Sequence, residues 1–392
     1  MILIDQPYIS AFLLKTIKEN NLEIVSTEAA SAMISDESLN WIPEKEAVEF
    51  IKINPNLPLY TNSENTISWI EKNLSSTKLP EQIQVFKNKI KFRELLKDTF
   101  PDYFFKGIKF GDLAHLSLEN VQFPFIIKPA VGFFSLGVHK VENPEEWPAI
   151  LNKITNDITE IRSFYPNEVV DTSNFIVEEC IEGEEYAMDC YFNKVGEPVI
   201  LSILHHRFST GKDVNDRVYT TSEEIIETHS PKMQKFLNTL GALVNLKNFP
   251  FHVEVRIDKK GTVIPIEVNP MRFGGWCTTA DLSYFAYGFN SYLYFLNGTK
   301  PNWEELFKKG KNKKYSLILL DNNSGIPEKE IASFNYELLL KDFENPMELR
   351  KVDFNEYPFF GMVFVETSLG NEKELDQILT SNLKKYIKVK ND

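Results

Sequence analysis

The 392 residues, 43% hydrophobic and 25% charged, exceed what one small core can use and fit two or three domains of an ordinary globular chain. A formal charge of −13 excludes the clustered Lys and Arg surface that a nucleic-acid partner requires, and no run of about 18 apolar residues is present to span a membrane. The opening MILIDQP lacks the basic and apolar regions of a signal peptide, and the three cysteines, Cys180, Cys190 and Cys277, lack metal-type spacing and fit reduced thiols; both observations point to the cytoplasm.

The chain opens with a short apolar strand, Ile2–Ile4, a helical pattern over Ser10–Glu19 and a second strand, Leu22–Val25. This β-α-β start is typical of an open parallel sheet. The first glycine of the chain is Gly107, so the first strand-to-helix turn lacks the glycines of a dinucleotide site. The period predicts a helix over Gln84–Asp98 and a strand over Phe123–Pro129, then a Gly/Ser-bearing loop, Ala130–Gly137, and a strand at Val138–Val141. Asn143-Pro144-Glu145-Glu146 reads as a helix start, with Asn as cap, Pro in the first turn and acids beside the dipole, for a helix reaching about Phe164. Strands follow at Phe175–Val177, Tyr186–Phe192 and Val199–His205, then a helix over Lys232–Leu246. After Lys311 the pattern becomes mixed, with strands at Tyr315–Leu319 and Phe360–Val365 and a helix over Glu372–Tyr386.

The segment FHVEVRIDKKGTVIPIEVNP, Phe251–Pro270, reads as a hairpin. Each strand alternates apolar and polar residues, and the apolar faces must share one core, which sets the register. A two-residue loop at Lys260-Gly261 then places Glu254 opposite Glu267, with Asn269 further along the same face. Opposed carboxylates repel unless a positive group lies between them. Two carboxylates and an amide oxygen form a hard-oxygen set suited to Mg²⁺. An exposed hairpin with solvated acids is the competing reading.

KPAVGFFSLGV, Lys128–Val138, joins two strands through a loop whose backbone N–H groups can converge on phosphate. Lys128 ends an apolar strand, and if buried it needs an anionic partner. A plain hairpin with a snorkelling lysine competes. Gly211-Lys212-Asp213 lacks the hydroxyl residue and upstream glycine of a Walker loop. Arg207 and Arg217 flank a polar stretch and are candidates for phosphate or substrate, while His205 and His206 face opposite ways on one strand and make a poor metal pair.

FIIKPAVGFFSLGV, FIVEECIEGEEYAMD and FHVEVRIDKKGTVIPIEVNP stand in that order, and together they resemble the ATP-grasp superfamily from Lys87 to Gly275, in the manner of the ATP-binding domains of carbamoyl-phosphate synthetase and the amino-acid ligases. The resemblance implies an α/β and α+β chain with the ATP-grasp fold: a Rossmann-like domain at 1–85, an ATP-grasp domain at 86–310 with a lid at about 121–177, and a small α+β module at 311–392. It implies that Lys89 and Lys128 contact nucleotide, that Gly132, Ser135 and Gly137 lie in the loop over the phosphates, and that Glu178, Glu179 and Ile181 form the hinge that reads adenine, largely through backbone. Glu185 would take the ribose hydroxyls, and Glu254, Glu267 and Asn269 would hold Mg²⁺, with Mn²⁺ able to replace it. The family often reads Asn-Pro-Arg after the second metal acid; here Asn269-Pro270-Met271-Arg272 displaces the arginine by one position, which in an extended strand points it to the other face. Arg272, with Arg207, is the candidate for γ-phosphate or substrate carboxylate.

The implied chemistry is phosphoryl transfer from ATP to a small-molecule carboxylate, giving an acyl phosphate and ADP, followed by attack of an amine. Amino-acid or dipeptide ligation is the favoured form, and a homodimer is compatible with it. A non-catalytic ATP-binding sensor or scaffold and a small-molecule kinase without ligation are the alternatives.

Overall fold

The computed structural model describes residues 1–119, 121–132, 137–164, 171–209, 216–309 and 312–390, with backbone alone described at 159–164, 171–172 and 309. In chain order the strands are β1 (Ile2–Leu3), β2 (Ile24–Ser26), β3 (Trp41–Pro43), β4 (Tyr60–Thr61), β5 (Phe105–Lys109), β6 (Phe125–Val131), β7 (His139–Val141), β8 (Asp171–Glu179), β9 (Glu184–Phe192), β10 (Pro198–Arg207), β11 (Val218–Thr221), β12 (Phe249–Ile257), β13 (Val263–Pro270), β14 (Lys313–Asp321), β15 (Ile331–Phe334), β16 (Asn345–Lys351), β17 (Phe359–Ser368) and β18 (Ile387–Val389).

The first four strands make a parallel sheet in the order β3-β2-β1-β4. Ser10 starts its first helix, Ala11–Glu19, by accepting from Leu13 N at 3.0 Å, and the helix buries Leu13, Thr16 and Ile17. A second sheet, β5-β8-β6-β7, is antiparallel and has its own core of Leu113, Phe125, Ile127, Trp147, Ile154 and Phe175 among others. The helix over it enters as the sequence predicts: Asn143 accepts from Glu146 N at 3.2 Å, and Trp147–Phe164 follows.

The third sheet has eight antiparallel strands in the order β13-β12-β9-β10-β11-β14-β17-β16. The strands after residue 311 therefore continue the sheet that begins with the acidic hairpin. One large core joins the hairpin to the parallel sheet: Phe86 stacks on Phe251 at 6.1 Å, Phe192 stacks on Phe251 at 5.0 Å, and Tyr60 packs against Phe273. Among the described residues no helix is long and apolar enough to cross a membrane.

Three helices differ from the sequence expectation; the one expected over Glu372–Tyr386 ends at Thr380, where Ser381 turns to extended backbone, and Lys384–Tyr386 is a separate 3₁₀ turn. The run Gln84–Asp98 divides into Leu79–Lys87 and Lys89–Leu96, because Asn88 adopts extended backbone and accepts from Ile90 N and Lys91 N. The helix expected from Lys232 begins at Glu223, where Ser222 caps it and Glu223 and Glu224 meet its positive end. Pro231 lies inside it; buried Ile226, Met233, Phe236, Leu237 and Leu240 offset the backbone hydrogen bond a proline removes.

Candidate functional site

The acidic hairpin pairs Glu254 with Glu267 and His252 with Asn269, as the alternation predicts. The turn differs. Asp258 N donates to Thr262 O, so three residues, Lys259–Gly261, make the loop, with Gly261 at φ +82°. The one-residue offset is absorbed by a bulge opposite Glu254 and Val255, where Ile266 is the extra residue. Val263, Pro265 and Val268 are consequently the inward residues of β13, and Ile264 and Ile266, expected in the core, are only half-buried.

Arg93 holds this bulge. Its Nη1 donates to Pro265 O at 2.6 Å and its Nη2 to Ile266 O at 3.4 Å, while Nε donates to Glu178 Oε2 at 2.8 Å. Lys128, buried in the middle of β6 rather than at a strand end, pairs with the other oxygen of Glu178. Burial would raise the Glu178 pKa, but Arg93 and Lys128 outweigh it and hold the carboxyl at about 2. The anionic partner that a buried Lys128 demands is thus Glu178.

Glu267 sits 2.9 Å from Lys89 Nζ, and Asn269 Nδ2 donates to its Oε1 at 3.4 Å. Burial opposes ionisation of Glu267, yet Lys89 and Lys128 hold its pKa at about 2. Across the hairpin, Glu254 is pushed up by burial and by the Glu267 charge. His252 partly opposes this, with Nε2 3.7 Å from Glu254 Oε1. His252 is itself anchored by buried Asp189 at 2.8 Å, and although burial disfavours its charge, Asp189 and Glu254 raise its pKa to about 9. Asp189 also accepts from Gly274 N and Thr279 Oγ1, tying the hairpin to the loop that follows it.

A further acid, Glu64, closes the row. It accepts from Lys87 Nζ and from Arg272, whose Nε lies at 3.1 Å. Burial alone would raise Glu64, but Lys87 and Arg272 bring it to about 2. Arg272 reaches this position because Met271 turns left-handed, at φ +68°, so the extra residue does not send the arginine to the opposite face. Thr61, just before Glu64, donates its N–H to Met271 O at 2.9 Å and fixes the turn. Lys87 and Lys89 both donate to Gly132 O at 3.4 Å, which brings the end of β6 against the row.

The structure therefore brings together Lys89, Lys128, Gly132, Glu178, Glu254, Glu267, Asn269 and Arg272. Glu185 lies further along the same sheet, held by His206 and Arg256. Glu179 points its carboxylate at Phe104 N, 3.2 Å, and its carbonyl accepts from Tyr103 Oη. Ile181 is buried and its carbonyl accepts from Arg256 Nη1 at 2.7 Å. Gly137 is left-handed at φ +69°. Ser135 lies outside the described residues, as does the stretch 210–215. Arg207 is not brought to this group: it pairs with Asp376 on the helix Lys373–Thr380, on the strand face opposite to His206. Arg217 is a buried anchor for the C-terminal segment, bound to Asp321 and to the Ile378 and Ser381 carbonyls.

Sequence reasoning missed Glu64, Lys87, Arg93, Asp189 and His252. Glu64 carried a usable signal, since it follows β4 at the carboxyl end of a parallel strand, where open α/β sheets place ligands. The donor set fits a hard divalent cation: two carboxylates on paired positions and an amide on the same face, with the raised Glu254 pKa recording charge that a cation would discharge.

Residues 121–280 match the family model described as ATP-grasp domain. Among solved structures the chain is similar, over 99% of its length, to L-amino acid ligase from Bacillus licheniformis (97% of that chain, 18% identity, TM-score 0.66). It is similar over the same share to N5-carboxyaminoimidazole ribonucleotide synthetase from Thermotoga maritima (98% of that chain, 14% identity, TM-score 0.62). A third is the biotin carboxylase domain of the Hydrogenobacter thermophilus 2-oxoglutarate carboxylase in complex with MgADP, ADP and bicarbonate (99% of this chain, 90% of that chain, 13% identity, TM-score 0.60). At these identities the likeness is one of fold. No curated protein sequence matches the chain.

Proposed function

From the premise that this chain carries an ATP-grasp domain and has the ATP-grasp fold, we propose that it is an ATP- and magnesium-dependent ligase that activates a carboxylate as an acyl phosphate for attack by an amine. The observation that carries the reading is the convergence of Glu254, Glu267 and Asn269 on one strand face, with Lys89, Lys128 and the Arg272–Glu64–Lys87 group around it. The neighbour solved with MgADP supports nucleotide and magnesium as ligands, and the L-amino acid ligase supports an amino acid as the carboxylate.

Glu254, Glu267 and Asn269 would hold the magnesium ion, which would supply charge neutralisation to the phosphates. Lys128 and Lys89 supply cations to the phosphate oxygens, and backbone at 179–181 reads adenine. Glu185 accepts from the ribose hydroxyls. Arg272 meets the γ-phosphate or the substrate carboxylate. No protein nucleophile is required, because transfer of this kind rests on positioning and charge neutralisation. Each cation already has an acid that aims it: Lys89 has Glu267, Lys128 has Glu178, and Arg272 and Lys87 share Glu64. Such preset charges need little reorganisation when phosphate enters.

The test is product analysis with a panel of amino acids and hydroxylamine as surrogate amine. A hydroxamate should form together with ADP and phosphate. AMP and pyrophosphate as products would refute the acyl-phosphate route. ADP with a stable phosphorylated product and no hydroxamate would replace ligation by a kinase reaction.

A further inference from the structure

Glu185 lies in the middle of a sheet, and its two flanking strands offer it one donor each. The pairing of β9 with β10 sets His206 directly opposite Glu185, and the pairing of β9 with β12 sets Arg256 there on the other side. His206 Nδ1 lies 2.7 Å from Glu185 Oε1, and Arg256 Nε donates to Oε2 at 2.9 Å. We propose that His206 is a positioning residue for the nucleotide, holding the Glu185 carboxylate ionised and oriented so that one free lone pair on each oxygen meets a ribose hydroxyl. The proposal rests on the assignment of Glu185 to the ribose.

The lone-pair count gives the reason. An ionised carboxylate has about four acceptor sites. His206 takes one on Oε1 and Arg256 one on Oε2, which leaves one on each oxygen. A vicinal diol presents two O–H donors, so the remaining pair matches it without waste. Arg256 also donates to the Ile181 carbonyl, so the hinge and the acid share one guanidinium.

His206 is built to hold this position. Its side chain is 1% exposed, and the ring stacks on Tyr219 at 4.2 Å and packs against Phe208 at 4.1 Å. Its Nε2 faces Asp216 at 3.8 Å, so the ring has an acid on each nitrogen. Burial disfavours charge on the ring, but Glu185 and Asp216 outweigh it and its pKa is raised, while that of Glu185 is lowered. A plain core histidine would be served by one partner and would leave the donor count at Glu185 to chance.

The experiment is calorimetric titration of the full-length chain with ADP and with 2′,3′-dideoxy-ADP, both with magnesium, and it needs no carboxylate substrate. The wild type should prefer ADP by more than about tenfold, since hydrogen bonds to a charged acceptor are among the stronger ones. His206→Leu should cut that preference at least about threefold while leaving dideoxy-ADP affinity within about twofold. His206→Asn carries its amide donor where Nδ1 stands and should restore the preference; His206→Gln carries it where Nε2 stands, toward Asp216, and should not. If His206→Leu does not fold, Asn against Gln makes the same comparison. Equal weakening of both nucleotides by His206→Leu, or an unchanged preference, overturns the proposal. A wild type without the preference, or Glu185→Gln retaining it, removes the ribose assignment itself and the proposal with it, and this is read before any His206 variant is made.

Discussion

Replacing Glu178 by Gln removes one carboxylate that two buried cations share. The Glu178 pKa falls from the ordinary 4.5 to about 2 because Arg93 and Lys128 outweigh its burial. At 1.36 kcal/mol per pH unit this depression amounts to about 3 kcal/mol of stability near pH 7. Glu178 is almost fully buried, so solvent screening takes little from that figure. The sign is that of a depressed acid: the contribution is complete above pH 4.5 and is lost as pH falls from 4.5 toward 2. Glu178→Gln has nothing to titrate there. In urea unfolding followed by tryptophan fluorescence, the variant should be less stable by about 3 kcal/mol at pH 7, with the gap constant down to about pH 5.5 and narrower by about 1 kcal/mol at pH 3.5. Leaving two buried cations with one neutral partner pushes the penalty up rather than down. A gap under about 1 kcal/mol at pH 7, or one that is flat across the whole pH range, would refute the reasoning.

Glu267→Gln should lower magnesium-dependent ADP formation by about a hundredfold or more while the thermal midpoint moves little; activity within tenfold of wild type would remove Glu267 from the metal set. Hydrogen exchange over residues 121–177 should slow when ATP and magnesium are added, because β5–β8 have a core of their own and meet the row through side chains such as Lys128 and through the Gly132 carbonyl. Unchanged exchange at saturating nucleotide counts against a closing lid. Glu64→Gln releases Arg272 and Lys87 from their shared acid and should reduce turnover by about tenfold or more with little loss of ADP affinity; an equal loss in ADP binding would place Glu64 in nucleotide recognition instead.

The β-α-β opening and the opposition of Glu254 to Glu267 were legible because both depend on short-range period, and period survives in one sequence. The bulge at Ile266 was not legible, since two different turns give the same pairing at Glu254 and only the core facing Val263 and Pro265 selects between them. Asn88 was hidden for another reason: one asparagine fits a helix's polar face as well as a cap. The helix expected from Lys232 starts nine residues earlier, and Ser222 with two following glutamates carried the true signal. The partners of the site were the least legible. Glu64 meets Arg272 across 208 positions and Arg93 meets Pro265 across 172, distances over which no local pattern speaks.

The eight-stranded sheet ends at β13, whose outer side is paired to no other strand among the described residues. An open strand edge invites a second chain to add itself. Here that edge carries prolines at 265 and 270, which offer no N–H, and a bulge that twists it at Ile266. The carbonyls of Pro265 and Ile266, the acceptors a visiting strand would seek, are already taken by Arg93. The strand that bears Glu267 and Asn269 is thereby closed to intermolecular pairing, so selection against aggregation and selection for the geometry of the acids act on the same few residues.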